Sequence, residues 1–196
     1  MAGPLVKLSG SELAALLPRL TLPEEAAAVV RGAPGIEAAL LSLEAEGFLL
    51  EAARLMAHAL PKREAVWWGC MCALHTAPPD LPELDRKARE TAEVWVRQQT
   101  DKVRRTAMKY AEDAGFGTPE AWAAVGAFWS GDSMSPEGQP AVPPAPHLPG
   151  TAVAGGVALS AVRGDVSRQK ARLRRFLESG RDIAAGGPGR LNPEDA

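Results

Sequence analysis

The residues of this chain best suited to metal or nucleophilic chemistry are three histidines and two cysteines, and four of them fall together: His58, Cys70, Cys72 and His75. Imidazole and thiolate are the ligands zinc prefers, so the set invites a zinc reading. The spacing argues against it. On a helix, Cys70 and Cys72 point roughly 200° apart, so they neither chelate one ion nor bridge each other. Cys72 and His75 share a face, but structural zinc sites draw ligand pairs from turns such as CxxC, and the chain has no CxxC. No metal and no cofactor are expected, and the two thiols read as buried and reduced.

Nucleophilic and acid–base chemistry fare no better. No GxSxG elbow occurs, and His147 stands apart in a proline-rich stretch. The paired carboxylates Glu24/Glu25, Glu44/Glu46 and Glu112/Asp113 fall at helix ends or on polar faces, without the apolar wall that raises a carboxyl pKa. Gly186-Gly187-Pro188-Gly189 lacks the lysine and the strand of a phosphate loop. No catalytic residue is expected, and the chain reads as a protein that is not an enzyme.

Binding chemistry is better represented. Tryptophan offers a large apolar body and one donor, and five are present: Trp67, Trp68, Trp95, Trp122 and Trp129. Trp67 and Trp68 point about 100° apart on a helix, which leaves one for the core and one for another surface. Proline rings pair with indole faces, so the proline-rich stretch 136–149 is expected to fold back as a strap over Trp122, Trp129 or Trp67, or else to stand free for a partner's aromatic groove. Charge is uneven: residues 1–60 set four cations against seven acids, and residues 163–190 set eight against three. In the basic stretch Arg168, Arg172 and Arg175 share a helix face by spacings of four and three. Those arginines, with Trp67 and Trp129, are the expected partner-binding residues.

The elements that must carry these residues read as helices throughout. Alanine and leucine dominate while β-branched and aromatic residues are sparse, a bias toward helix over sheet. Ser9 or Ser11 is expected to cap a short helix through Leu16, and Pro23 to open a second, ending near Gly32. Residues 36–60 have helical periodicity with a possible break at Gly47 and a stripe of Leu49, Ala52, Ala53, Met56 and Leu60. Residues 62–77 are apolar on all sides, which predicts a central helix. Residues 82–114 read as one long helix, with a possible kink at Gln98-Gln99-Thr100. Gly115 is placed as its left-handed cap. Thr118-Pro119-Glu120 opens the next helix, and two more run from about Thr151 and from Asp165 or Ser167. The pair over 36–77 resembles one unit of a TPR or HEAT array in length.

Together these readings give an all-α, irregular helical bundle with a helix-pair core and a proline-rich extended arm. One domain spans 1–186, and a flexible tail follows from 187 to 196. The formal charge of −2 argues against a nucleic-acid partner. No apolar run approaches the roughly 18 residues a membrane span needs, and the start is unlike a signal peptide. A cytoplasmic protein is expected.

Four blocks, Arg63-Glu64-Ala65-Val66-Trp67-Trp68, Ala127-Phe128-Trp129-Ser130-Gly131, Val142-Pro143-Pro144-Ala145-Pro146 and Arg174-Arg175-Phe176-Leu177-Glu178, in this order and separation resemble an uncharacterised family of small helical bacterial proteins. The likeness runs from about Leu40 to Gly187. The resemblance carries no activity and no catalytic residues. Some members look to be encoded near type VI secretion genes and forkhead-associated-domain proteins. It implies an adaptor or accessory protein binding another protein, in particular a secretion-system component. The alternative is a small-molecule or lipid-binding module with a tryptophan-lined pocket.

Overall fold

The computed structural model describes residues 4–8 and 12–194. Among them are ten α-helices, three 3₁₀ turns and no strands. The α-helices are α1 (Leu13–Leu16), α2 (Glu24–Gly32), α3 (Ile36–Ala45), α4 (Leu49–Ala59), α5 (Lys62–His75), α6 (Glu83–Gln98), α7 (Asp101–Asp113), α8 (Pro119–Trp129), α9 (Leu148–Val162) and α10 (Gln169–Ala184). None is long and apolar enough to cross a membrane. The expected caps Ser9 and Ser11 lie outside the described residues; Glu12 stands at the start of α1 and makes no side-chain cap.

Helix α5 is central, as its unbroken apolar composition requires. Val66, Trp68, Cys70 and Cys72 are fully buried, and the helix packs against α8 and α9, with α6 and α10 beside it. Glycines permit the close approach: a Cβ on Gly126 would stand 3.2 Å from Val153 Cγ2, and one on Gly156 3.3 Å from Pro119 O. Trp68 completes the seam between α5 and α10, its Nε1 donating to Phe176 O at 2.8 Å. The N-terminal elements join this core through Leu5, Leu8, Leu16, Leu20 and Val30.

The helical stretch 36–60 breaks at Gly47, as its sequence suggests, and the stretch 82–114 is broken too. Between α3 and α4, Gly47 takes φ +83°, which glycine adopts without a side-chain clash. Residues 82–114 form not one kinked helix but a hairpin, α6 folding against α7. Gln99 sits in left-handed conformation (φ +50°), and Thr100 then caps α7 by accepting from Val103 N. Ala88, Ala92, Trp95 and Ala107 are buried, whereas Leu84 is exposed. The expected helix pair over 36–77 does not form either: α4 and α5 diverge after Pro61, α5 packing on α8 and α9 while α4 packs on α9, α3 and α10. Matching lengths carried that expectation, and length does not choose a packing partner.

Residues 131–147 hold no helix or strand. The segment closes on itself: Met134 N donates to Val142 O at 2.7 Å, Val142 N donates to Ser133 Oγ at 3.1 Å, and Arg105 Nη1 ties Ser135 O at 2.7 Å. Pro136, Pro140, Pro143 and Pro146 are exposed, and Pro149 already belongs to the first turn of α9. The tail expected to be loose is instead fastened from 187 to 194. Trp67 Nε1 donates to Pro188 O at 2.7 Å, Ser179 Oγ to Gly189 O at 2.6 Å, and Glu194 N to His75 O at 2.8 Å. Leu191 is buried beneath it. A glycine-rich composition reads as loose, but here backbone groups exposed by those glycines meet side-chain donors from α5 and α10.

Candidate binding surface

Trp67 sits on α5 one residue before the buried Trp68, and the 100° step between them turns it outward. Its half-buried indole borders a cleft of about 350 Å³ walled by the first turns of α5, the end of α6, and the segment after α10. Four cations reach this cleft: Lys7, Arg63, Arg97 and Arg190. Its one carboxylate, Glu64, is already engaged by Lys7 at 3.3 Å and Arg63 at 2.8 Å. Burial opposes ionisation of Glu64, but the hydrogen bonds from Arg63 and Lys7 outweigh it and hold the carboxyl below its usual range. Arg97 and Arg190 are exposed and pair with no carboxylate among the described residues.

The expected basic face lies back along α10, its nearest member Arg175 about 12 Å from Ile183 of the cleft by the helix rise, and it is rearranged. Arg172 turns inward, its residue only 5% exposed. Its Nη1 donates to Ala161 O at 3.2 Å and to Arg163 O, while its Nε meets Glu194 Oε1 at 3.1 Å. It is an internal clamp that joins α9, α10 and the segment 187–194, and so leaves the outer face. Arg168 precedes the helix in a 3₁₀ turn, outside the α-helical phase used to align it, and reaches Glu194 at 3.3 Å. Arg175 is exposed, together with Lys170 and Arg174. Trp129, at the end of α8, is half-buried and meets Trp122 edge-on at 6.4 Å. The five expected residues therefore do not converge.

The histidines and cysteines do not converge either. His75 Nδ1 faces Asn192 O, Cys70 Sγ lies 3.9 Å from Arg89 O, and His58 lines a separate cleft on α4. Burial pushes both thiols well above their ordinary range. No group of three or more His, Cys, Asp or Glu side chains among the described residues is placed to hold a metal ion.

Residues the sequence reading passed over include Arg97 and Arg190. Arg97 reads as an ordinary solvated cation in a last turn, and Arg190 lies beyond the glycine run. Buried acids were also missed. Glu120, in the first turn of α8, is wholly buried and makes a bidentate pair with Arg163. An acid after Thr-Pro reads as a partner for the helix dipole, and no local signal marks it as enclosed.

A family of unknown function, DUF6931, matches residues 39–184. The chain belongs to DUF6931. No curated protein and no solved structure matches it. The DUF6931 span runs from α3 to the end of α10 and so contains the core helix, Trp67, Arg97 and Arg175. It excludes the N-terminal elements that supply Lys7 and the closing segment that supplies Arg190.

Proposed function

We propose that this DUF6931 protein is a non-enzymatic adaptor that binds an acidic partner protein. The observation that carries the reading is the cationic cleft beside Trp67, where Arg97 and Arg190 pair with no carboxylate among the described residues and Glu64 is already committed. Arginine beside an indole is a common composition of interface centres. The exposed Lys170, Arg174 and Arg175 extend the same preference along α10. A secretion-system component is the partner class suggested by the family resemblance. Free buried cysteines support a reducing compartment such as the cytoplasm.

The test is co-purification from the native host with the full chain and with the double variant Arg97→Glu/Arg190→Glu. Salt-sensitive recovery of an acidic protein by the wild type, lost in the variant at unchanged thermal stability, is the expected result. Equal recovery by both would end this assignment of the cleft. The cleft volume also suits a small ligand at the lower end of the usual range, which favours a small-molecule reading as the alternative. A native mass spectrum of gently purified protein with a retained molecule, released by Trp67→Ala, would select it.

A further inference from the structure

A second concave site lies between α4, α9 and the turn Arg19–Thr21, on a face of the molecule that the adaptor reading does not use. It encloses about 420 Å³, and its polar lining is Arg19, Thr21, Arg54, His58 and Thr151 over a floor of small α9 residues. Among the described residues no carboxylate lines it and neither arginine forms an ion pair. We propose that this cleft binds a small soluble molecule through a phosphate group, with Arg19 and Arg54 as its cationic contacts and His58 at its wall.

Three observations carry the assignment. First, Arg54 is held in place before any ligand arrives. Its Nη1 donates to Leu20 O at 3.1 Å and Thr21 O at 2.8 Å, which leaves its other N–H donors without a hydrogen bond among the described residues. A guanidinium anchored at one corner presents a fork that matches a phosphate's oxygens. The accepting turn needs Thr21 at φ +47°, a conformation uncommon outside glycine.

Second, the charged groups acting on His58 all have one sign. Burial lowers its pKa, and His147, Arg19 and Arg54 lower it further, to about 4. His147 lies at the start of α9, Arg54 on the same helix as His58, and Arg19 on the adjoining turn, so each neighbouring element contributes a cation or a basic ring and none an acid. Such a concave site concentrates anions. Third, the histidine is placed by the fold: Gly150 lies so close that a Cβ there would fall 2.6 Å from His58 Nδ1. The volume suits a small ligand. A structural duty for Arg54 alone explains the turn but leaves Arg19 and the missing counter-ion unaccounted for.

The experiment follows His58 by NMR in the full chain while inorganic phosphate is added, with sodium chloride at matched ionic strength and acetate as controls. Saturable phosphate binding that raises the His58 pKa by about one unit or more is expected, because a bound phosphate anion favours the imidazolium. Arg19→Gln, at an exposed position with no side-chain hydrogen bond among the described residues, should weaken binding about tenfold without changing the melting temperature. A response equalled by chloride, or phosphate binding unchanged in Arg19→Gln, would overturn the proposal. Phosphatidic acid vesicles form a further arm: co-sedimentation of the protein with no response to soluble phosphate would overturn the small-molecule assignment in favour of a membrane headgroup.

Discussion

Replacing Arg163 by methionine isolates a wholly enclosed carboxylate. Glu120 is 0% exposed, and its two oxygens are held by the two guanidinium nitrogens of Arg163, one of them at 2.9 Å. Without Arg163, the carboxylate has no cation partner among the described residues. Breaking a buried ion pair from one side costs about 3–5 kcal/mol, and the complete burial of Glu120 puts Arg163→Met near the upper half, about 4 kcal/mol. Glu120→Gln should be milder, about 2 kcal/mol, because the amide still accepts one hydrogen bond and Arg163 keeps partial access to solvent and to Ala73 O at 3.5 Å. For a chain of this size, 1 kcal/mol corresponds to about 2–4 °C in melting temperature. Arg163→Met should therefore melt about 8–16 °C lower. Urea denaturation followed by circular dichroism, with the single variant Glu120→Leu and the double variant Glu120→Leu/Arg163→Met closing the cycle with Arg163→Met, measures the coupling. The double variant should be more stable than Arg163→Met alone. If Arg163→Met is no worse than Glu120→Gln, or the two changes add independently, the pair does not hold the ends of α8 and α9 together as reasoned.

Three further outcomes follow from the geometry. His58 has a native pKa lowered to about 4 against about 6.5 unfolded, so between these values the unfolded chain binds the extra proton. Stability should fall as pH drops from about 6.5 to 4 and level off below, by about 2 kcal/mol after allowance for the ring's partial exposure. That slope should be absent in His58→Gln when the two are compared by urea titration. Truncation after Gly186 removes the acceptors of Trp67, Ser179 and His75 and the carboxylate of Arg172. It should lower stability by about 3 kcal/mol or more and shift tryptophan emission to the red, and an unshifted spectrum would contradict the fastening of residues 187–194. Cys70 and Cys72, buried with raised pKa values, should react with a thiol reagent only on unfolding, so prompt labelling of native protein would contradict their enclosure.

The all-helical architecture and the central position of α5 were legible because composition and periodicity report them directly: a helix apolar on every side has nowhere to go but the interior. Caps were equally legible where one side chain decides, as at Thr118, whose Oγ accepts from Ala121 N. Readings that depended on what a helix meets were not. Arg172 shares the spacing of a surface stripe, yet the carbonyls that end α9 lie against that side of α10. The turn at Gln99 costs a non-glycine residue a left-handed backbone, and it is repaid only by packing between α6 and α7, which no local pattern records. The Trp67 cleft was half legible. The indole was visible, but its cations come from four separate stretches of chain, and their meeting is a property of the fold.

Helix α9 is apolar around its whole circumference, so hydrophobicity gives it no preferred rotation. Its glycines supply one. Gly150 packs against His58, and Gly156 against the α8 backbone at Pro119 and the Trp122 stem, closely enough that a Cβ would crowd each neighbour. A slip by one residue would bring the Cβ of Thr151 or Val157 to these places and push two neighbours apart. The absent side chains thus serve as index marks: they select a single register for a helix that greasy surfaces alone would let slide or spin, and through it they set the distance between α4 and α8.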